Sequence, residues 1–111
     1  MAIAYKNAGA ALGTTYATVY TCPAGTTALV LLAQVTNVDG TNSADVEAQW
    51  LDDSNADAAT RISPVGLPVP AKAAINVLDN GPLVLEAGDQ FQAKASAAGD
   101  LEITLSISEI T

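Results

Sequence analysis

Leu83–Ile107, LVLEAGDQFQAKASAAGDLEITLSI, is the stretch that decides the fold. It reads as a short strand, a Glu86-Ala87-Gly88-Asp89 turn, a second strand, an Ala97-Ala98-Gly99-Asp100 turn and a long final strand. In the final strand Leu101, Ile103, Leu105 and Ile107 face one way, and Glu102, Thr104, Ser106 and Ser108 face the other. A period of two places a dry side against a core and a wet side outward. A strand of this kind is not stable alone, so the rest of the chain must supply sheets that cover its dry side.

Upstream, the same alternation recurs between turn signals. Thr14–Thr21 (TTYATVYT) is rich in Thr, Tyr and Val and reads as a strand, with Tyr16, Thr18 and Tyr20 on one face and Ala17 and Val19 on the other. Cys22-Pro23-Ala24-Gly25 follows as a turn. Thr27–Val38 (TALVLLAQVTNV) is the longest apolar run. Its Ala and Leu content would suit a helix, but the branched residues, the preceding Pro-Ala-Gly and the Asp39-Gly40 turn favour a central strand. Leu29, Leu31, Ala33 and Val35 then share one face, with Ala28, Val30 and Leu32 on the other, so the first half of the run is expected to be covered on both sides.

Ala44–Leu51 (ADVEAQWL) alternates Val46, Ala48 and Trp50 inward against Asp45, Glu47 and Gln49 outward. Asp52–Ala59 reads as an acidic loop, Thr60–Val65 as a short edge strand, Gly66–Lys72 as an extended Pro-bound segment and Ala73–Leu78 as a strand. Asp79-Asn80-Gly81-Pro82 is a turn leading into Leu83. The pattern predicts an all-β protein: an antiparallel β-sandwich, jelly-roll-like, of about eight strands. Residues 14–111 form one domain, and residues 1–13 (MAIAYKNAGAALG) form an arm or a loosely held edge strand.

Composition bounds the function. Twelve acids against four bases give a net charge of −8, and Lys6, Arg61, Lys72 and Lys94 are scattered, so no basic footprint for nucleic acid exists. The acidic balance suits solubility, or packing beside a basic partner. No apolar run reaches the roughly 20 residues of a membrane span, and residues 1–13 lack the apolar core of a signal peptide, so synthesis inside a cell is expected. There is no His, which removes His-based triads and His-containing zinc sites. Cys22 is the only cysteine; it reads as a buried thiol used as a small hydrophobe, without a histidine to activate it. No Gly-rich phosphate loop is present, no cofactor is implied, and no enzyme is expected.

Three other groups of residues are candidates for binding. Asp53, Asn55 and Asp57 match the first, third and fifth positions of a calcium loop, but Ala58 stands where glycine is needed and Pro64 where the bidentate Glu belongs. A solvated acidic loop fits these residues better. Trp50 is either a core residue beside that loop or an anchor in a contact. Tyr16 and Tyr20, with Tyr5 if the arm folds back, could form an aromatic platform for a glycan or a protein.

The phrase Tyr20-Thr21-Cys22-Pro23-Ala24-Gly25-Thr26-Thr27-Ala28 resembles an opening found in small structural proteins of tailed bacteriophages, where a strand ends in a Pro-Ala-Gly turn and enters an apolar strand. The resemblance continues through Leu67-Pro68-Val69-Pro70-Ala71, Leu83–Asp89 and the Ala95–Gly99 turn. It implies a non-enzymatic subunit of the virion, made in the host cytoplasm. Its expected role is capsid cement or decoration, with a small tail or adsorption-apparatus component and a glycan-binding module as alternatives. It also implies a homo-oligomer, a trimer by preference, in contact with the major capsid protein. Ile3 and Tyr5 stand alone in a small-residue segment and are expected to anchor the arm to a neighbour.

Overall fold

A computed structural model describes residues Met1–Thr111. It contains ten strands: β1 Ile3–Ala11, β2 Ala17–Thr21, β3 Thr27–Asn37, β4 Ala44–Asp52, β5 Ala58–Arg61, β6 Leu67–Val69, β7 Ala74–Asn76, β8 Leu83–Leu85, β9 Gln90–Ala95 and β10 Leu101–Ile110. The only helical element is a single 3-10 turn, Asp53–Asn55. All pairings are antiparallel, and the strands form two sheets.

The first sheet runs β1-β10-β3, with β7 and β8 both on the far edge of β3. The second runs β2-β9-β4, with β5 and β6 both on the far edge of β4. Each sheet therefore has four strand positions, the last one split in two. This is jelly-roll wiring, in which the chain crosses between the sheets at every connection except β4–β5 and those within the two split positions. The split explains why ten strands occupy the eight places expected from the pattern. Polar side chains close both gaps. The Ala48 N–H donates to Ser63 Oγ at 2.9 Å between β5 and β6. The Ala33 N–H donates to Asn76 Oδ1 at 3.1 Å between β7 and β8. Backbone groups that lose a strand partner thus keep a hydrogen bond.

The core lies between the sheets. Phe91, Leu85, Leu101, Ile103, Leu105 and Ile107 are its largest fully buried members, and Val and Ala fill the spaces around them. At roughly 25 cal/mol per Å² of apolar area removed from water, each such side chain contributes about 1.5–3 kcal/mol. Cys22 is 1% exposed, with its thiol within 3.3 Å of the Thr26 carbonyl, as a small buried hydrophobe should be. Burial raises its pKa above the ordinary thiol value.

Two bulges change what the alternation predicted. Leu105 pairs with Ala33 and Ser106 with Leu32, but Ile107 pairs with Val30, so Leu31 is an extra residue. Ala33 and Val35 are core on one side of the bulge, and Ala28 and Val30 are core on the other. Leu29 and Leu31 do not share a face with Ala33 and Val35. Likewise Thr18 pairs with Gln92 and Tyr20 with Phe91, leaving Val19 as an extra residue in β2. Tyr20 therefore sits on the inner side of its sheet, in the row of the fully buried Phe91, while Thr18 and Tyr16 lie outside. Ser108, expected on the wet side, does lie in the outer row but is only 7% exposed, between Tyr5 and Leu29.

Within residues 1–13, Ile3–Ala11 form an edge strand and not a detached arm. β1 pairs with β10 without interruption from Ile3–Ile110 to Ala11–Glu102.

Candidate interaction surface

The two outer faces of the sandwich differ in chemistry. On the second sheet, Thr18, Gln92, Gln49 and Arg61 form one row across four strands. Gln49 Nε2 donates to Gln92 Oε1 at 2.7 Å, and Gln92 Nε2 donates to Thr18 Oγ1 at 3.1 Å. In the next row Glu47 accepts from both Arg61 and Lys94 at 3.2 Å. Those two cations also lie over the Tyr16 ring, at 5.5 and 4.8 Å from its centroid. Cation–π contact holds the ring against the sheet, with its hydroxyl shielded and making no hydrogen bond. Apart from the Tyr16 hydroxyl, this face pairs these polar groups within itself, and it presents no apolar patch.

The outer face of the first sheet is apolar at one end. Tyr5, Ser108, Leu29 and Val84 stand side by side in one row across four strands. The neighbouring rows bring Ile3 beside Ile110, and the bulge pushes Leu31 outward next to Leu32. Ile3, Tyr5, Leu31 and Val84 are 52%, 78%, 46% and 53% exposed. They make up four of the seven large hydrophobics that the protein leaves open to solvent, the others being Met1, Val38 and Val65. No charged residue occupies these rows. Scattered exposed apolar residues mean little; a contiguous group on one flat sheet marks an interaction surface.

Sequence reading found Ile3 and Tyr5 and missed Leu29, Leu31 and Val84. The signal was present: TALVLLAQV is apolar in both phases, which one dry side cannot absorb. The position of the bulge, which chooses the phase for each half, was not legible.

Tyr16 and Tyr20 do not form a platform, because they face opposite sides of their sheet. Tyr20 points across the sandwich and donates its hydroxyl to the carboxylate of Glu109. Lys6 Nζ approaches the other oxygen of Glu109 at 3.1 Å. The hydrogen bond from Tyr20, assisted by Lys6 against the opposing effect of burial, holds Glu109 below the ordinary carboxylate value. Burial, and then the same hydrogen bond, raise the Tyr20 phenol. The cluster ties the edges of the two sheets together beneath the apolar row.

Trp50 is half-buried beside Phe91 and packs against the core, which is the first of its two expected roles. Asp53, Asn55 and Asp57 lie on a tight β4–β5 connection. The Asp53 N–H donates to Asp89 Oδ1 at 2.9 Å, and Asp57 takes a left-handed φ of 59°. Asp52, not Asp53, is the cap, accepting from the Ser54 N–H at 3.1 Å. Nowhere do three or more Asp, Glu or Cys side chains converge as metal ligands. A shallow cleft of about 470 Å³ opens between the split strands, lined by Ile62, Ser63, Leu67, Val77 and Leu83 among others. It contains no grouped ionisable side chains. No helix is long and apolar enough to cross a membrane.

No protein-family model, no curated protein and no solved structure matches the chain.

Proposed function

We propose that the chain is a non-enzymatic structural subunit of a tailed-phage virion, and within it a cement or decoration protein of the capsid. The observation that carries this reading is the apolar row Tyr5–Leu29–Val84, extended by Ile3 and Leu31, on an otherwise polar sandwich. The resemblance of the Pro-Ala-Gly opening and the later turns to small virion proteins supplies the setting.

Mechanically, the jelly roll is a rigid plate. Its apolar face would seat on the major capsid protein, and the acidic remainder, at a net charge of −8, would face basic surfaces or solvent. Each contact is modest, because ordering and desolvation consume much of the gain from burial. Repetition over a shell makes many modest contacts act together. A decoration protein needs no catalytic group for this work.

The test is placement on the particle. Gold-labelled chain is added to particles of the encoding phage that lack it, and the label is located by electron microscopy. Label over the head supports the cement role. Label confined to the tail reassigns the protein to the tail or adsorption apparatus. Absence of label from particles overturns the virion role. Tyr5→Asp and Val84→Asp should each abolish labelling while leaving the thermal unfolding midpoint within about 3 °C, since both side chains are exposed.

A further inference from the structure

A sheet edge is a row of unpaired backbone donors and acceptors, and proteins usually blunt it with short strands, bulges, prolines or charges. Three of the four edges here are blunted. β7 and β8 are three residues each, β5 and β6 are short with Pro64 between them and Pro68 inside β6, and β2 has five residues and a bulge. The fourth edge, β1, has nine residues, no proline and no bulge. Its single charge, Lys6, is engaged by Glu109 and does not protect it.

The pattern of that open edge can be read from its inner neighbour. Ala2 and Thr111 exchange both backbone hydrogen bonds, at 3.1 and 2.9 Å. Bonded and non-bonded pairs alternate along an antiparallel ladder, so even-numbered residues of β1 turn their N–H and C=O to β10. Ile3, Tyr5, Asn7, Gly9 and Ala11 turn both groups to the open side. Their outward positions lie on the outer face, Ile3, Tyr5 and Asn7 in the rows of the apolar patch and Gly9 and Ala11 in the polar rows of Thr104 and Glu102.

We propose that β1 pairs antiparallel with β1 of a second copy, about a two-fold axis passing beside Asn7, joining two first sheets into one continuous sheet. Register selects this partner. With Asn7 opposite Asn7, all nine residues pair, and each large outer residue meets a small one: Ile3 opposite Ala11 of the second copy, Tyr5 opposite Gly9 of the second copy. An aromatic ring lying over a cross-strand glycine covers backbone that glycine leaves bare. Lys6 falls opposite Ala8. Moving the axis to Lys6 sets two like charges directly opposite, which is unfavourable, and moving it to Ala8 pairs only Tyr5–Ala11. Lys6 is also the only charged residue before Asp39, so the edge itself carries none of the chain's acids. The pairing is about 30 Å long and places two apolar rows on one side of the joined sheet. A dimer would therefore present the capsid-facing surface twice. The pairing itself does not depend on the virion reading.

The test is the mass of the full chain by sedimentation equilibrium over a wide concentration range, joined to a cross-linking register map. A dimer is expected. Asn7→Cys should form an intermolecular disulfide with itself on mild oxidation, because directly opposed Cα atoms about 5.5 Å apart lie within disulfide reach. Tyr5→Cys alone should not, since its counterpart lies about four residues away along the strand, whereas Tyr5→Cys mixed with Gly9→Cys should. Buried Cys22 does not compete. Asn7→Pro removes only an outward N–H, so it should keep the fold by circular dichroism while raising the dimer dissociation constant about tenfold or more. A monomer at all concentrations, or a trimer, overturns the proposal; so does a dimer in which Asn7→Cys does not cross-link.

Discussion

The Tyr20 hydroxyl donates across the sandwich to the Glu109 carboxylate, joining β2 of one sheet to β10 of the other. The residues are 89 apart in sequence, and Glu109 is only 7% exposed. A buried carboxylate with two partners tolerates the loss of either poorly, because the other partner cannot replace the missing hydrogen bond. Tyr20→Phe should lower stability by about 1–3 kcal/mol in denaturant titration, with an unchanged dependence on denaturant concentration. A change below about 0.3 kcal/mol would show that solvent already satisfies Glu109.

The same cluster sets a dependence on pH. The folded protein holds Glu109 below its ordinary value of 4.5. Its contribution is therefore full above about pH 4.5, where the unfolded chain is also ionised, and is lost as pH falls through the lower folded value. Unfolding midpoints measured from pH 7 to pH 3 should fall most steeply below about pH 4.5. Glu109→Gln should flatten that slope. Asp39 is also held below its ordinary value, by the Thr41 N–H and Asn42, but it is solvent-exposed and should contribute little to the acid limb.

The Glu86–Asp89 turn is packed against the β4–β5 connection. Gly88 has φ +88°, and a Cβ there would lie 2.6 Å from Asp53 Cγ. The Asp89 carboxylate accepts from the Asp53 and Glu86 N–H groups, both at 2.9 Å. Gly88→Ala meets both the left-handed backbone and the clash, and should cost about 2 kcal/mol or more. Asp89→Ala leaves two N–H groups without a partner and should cost about 1–3 kcal/mol. Thermal unfolding of both variants checks the pair. A midpoint unchanged for Gly88→Ala would mean that Asp53 swings away freely.

Sheet content, the turns and most of the core were legible because period-two alternation and Pro-Gly-Asx turns are local signals. Leu101, Ile103, Leu105 and Ile107 are core as their spacing predicts. What was not legible depends on partners distant in sequence. The bulge at Val19 is defined only against β9, and it alone separates Tyr20 from Tyr16. Glu109 continues the inward series Leu101–Ile107 by spacing alone, but its partner Tyr20 is not legible, because Tyr20 faces the core only through the bulge at Val19. The split of the outermost strands needs Ser63 and Asn76 to stand in for absent strand partners, a role no spacing rule assigns. The candidate surface was half legible: Ile3 and Tyr5 stand out in a small-residue segment, whereas Leu31 and Val84 join them only once β3 and β8 are laid side by side.

The Leu31 bulge supplies the sharpest separation of fold from surface. Val30 pairs with Ile107 and Leu32 pairs with Ser106, so removing Leu31 would leave a regular ladder. Val30 would still face the core, Leu32 would still face out and Ala33 would still face in. Deletion of Leu31 should therefore yield a folded protein, with an unfolding midpoint within about 5 °C of the parent, corresponding to about 1 kcal/mol. It should lose part of the apolar patch and bind particles more weakly. Deletion of Gln34, three residues on, can close the same bulge, but it puts Leu32 in the fully buried place of Ala33 and Ala33 in the exposed place of Gln34. Overpacking that core site should cost about 1–3 kcal/mol, so this deletion should be the more damaging of the two. If the two deletions prove equally damaging, the bulge is required for the twist of β3 and not only for presenting Leu31.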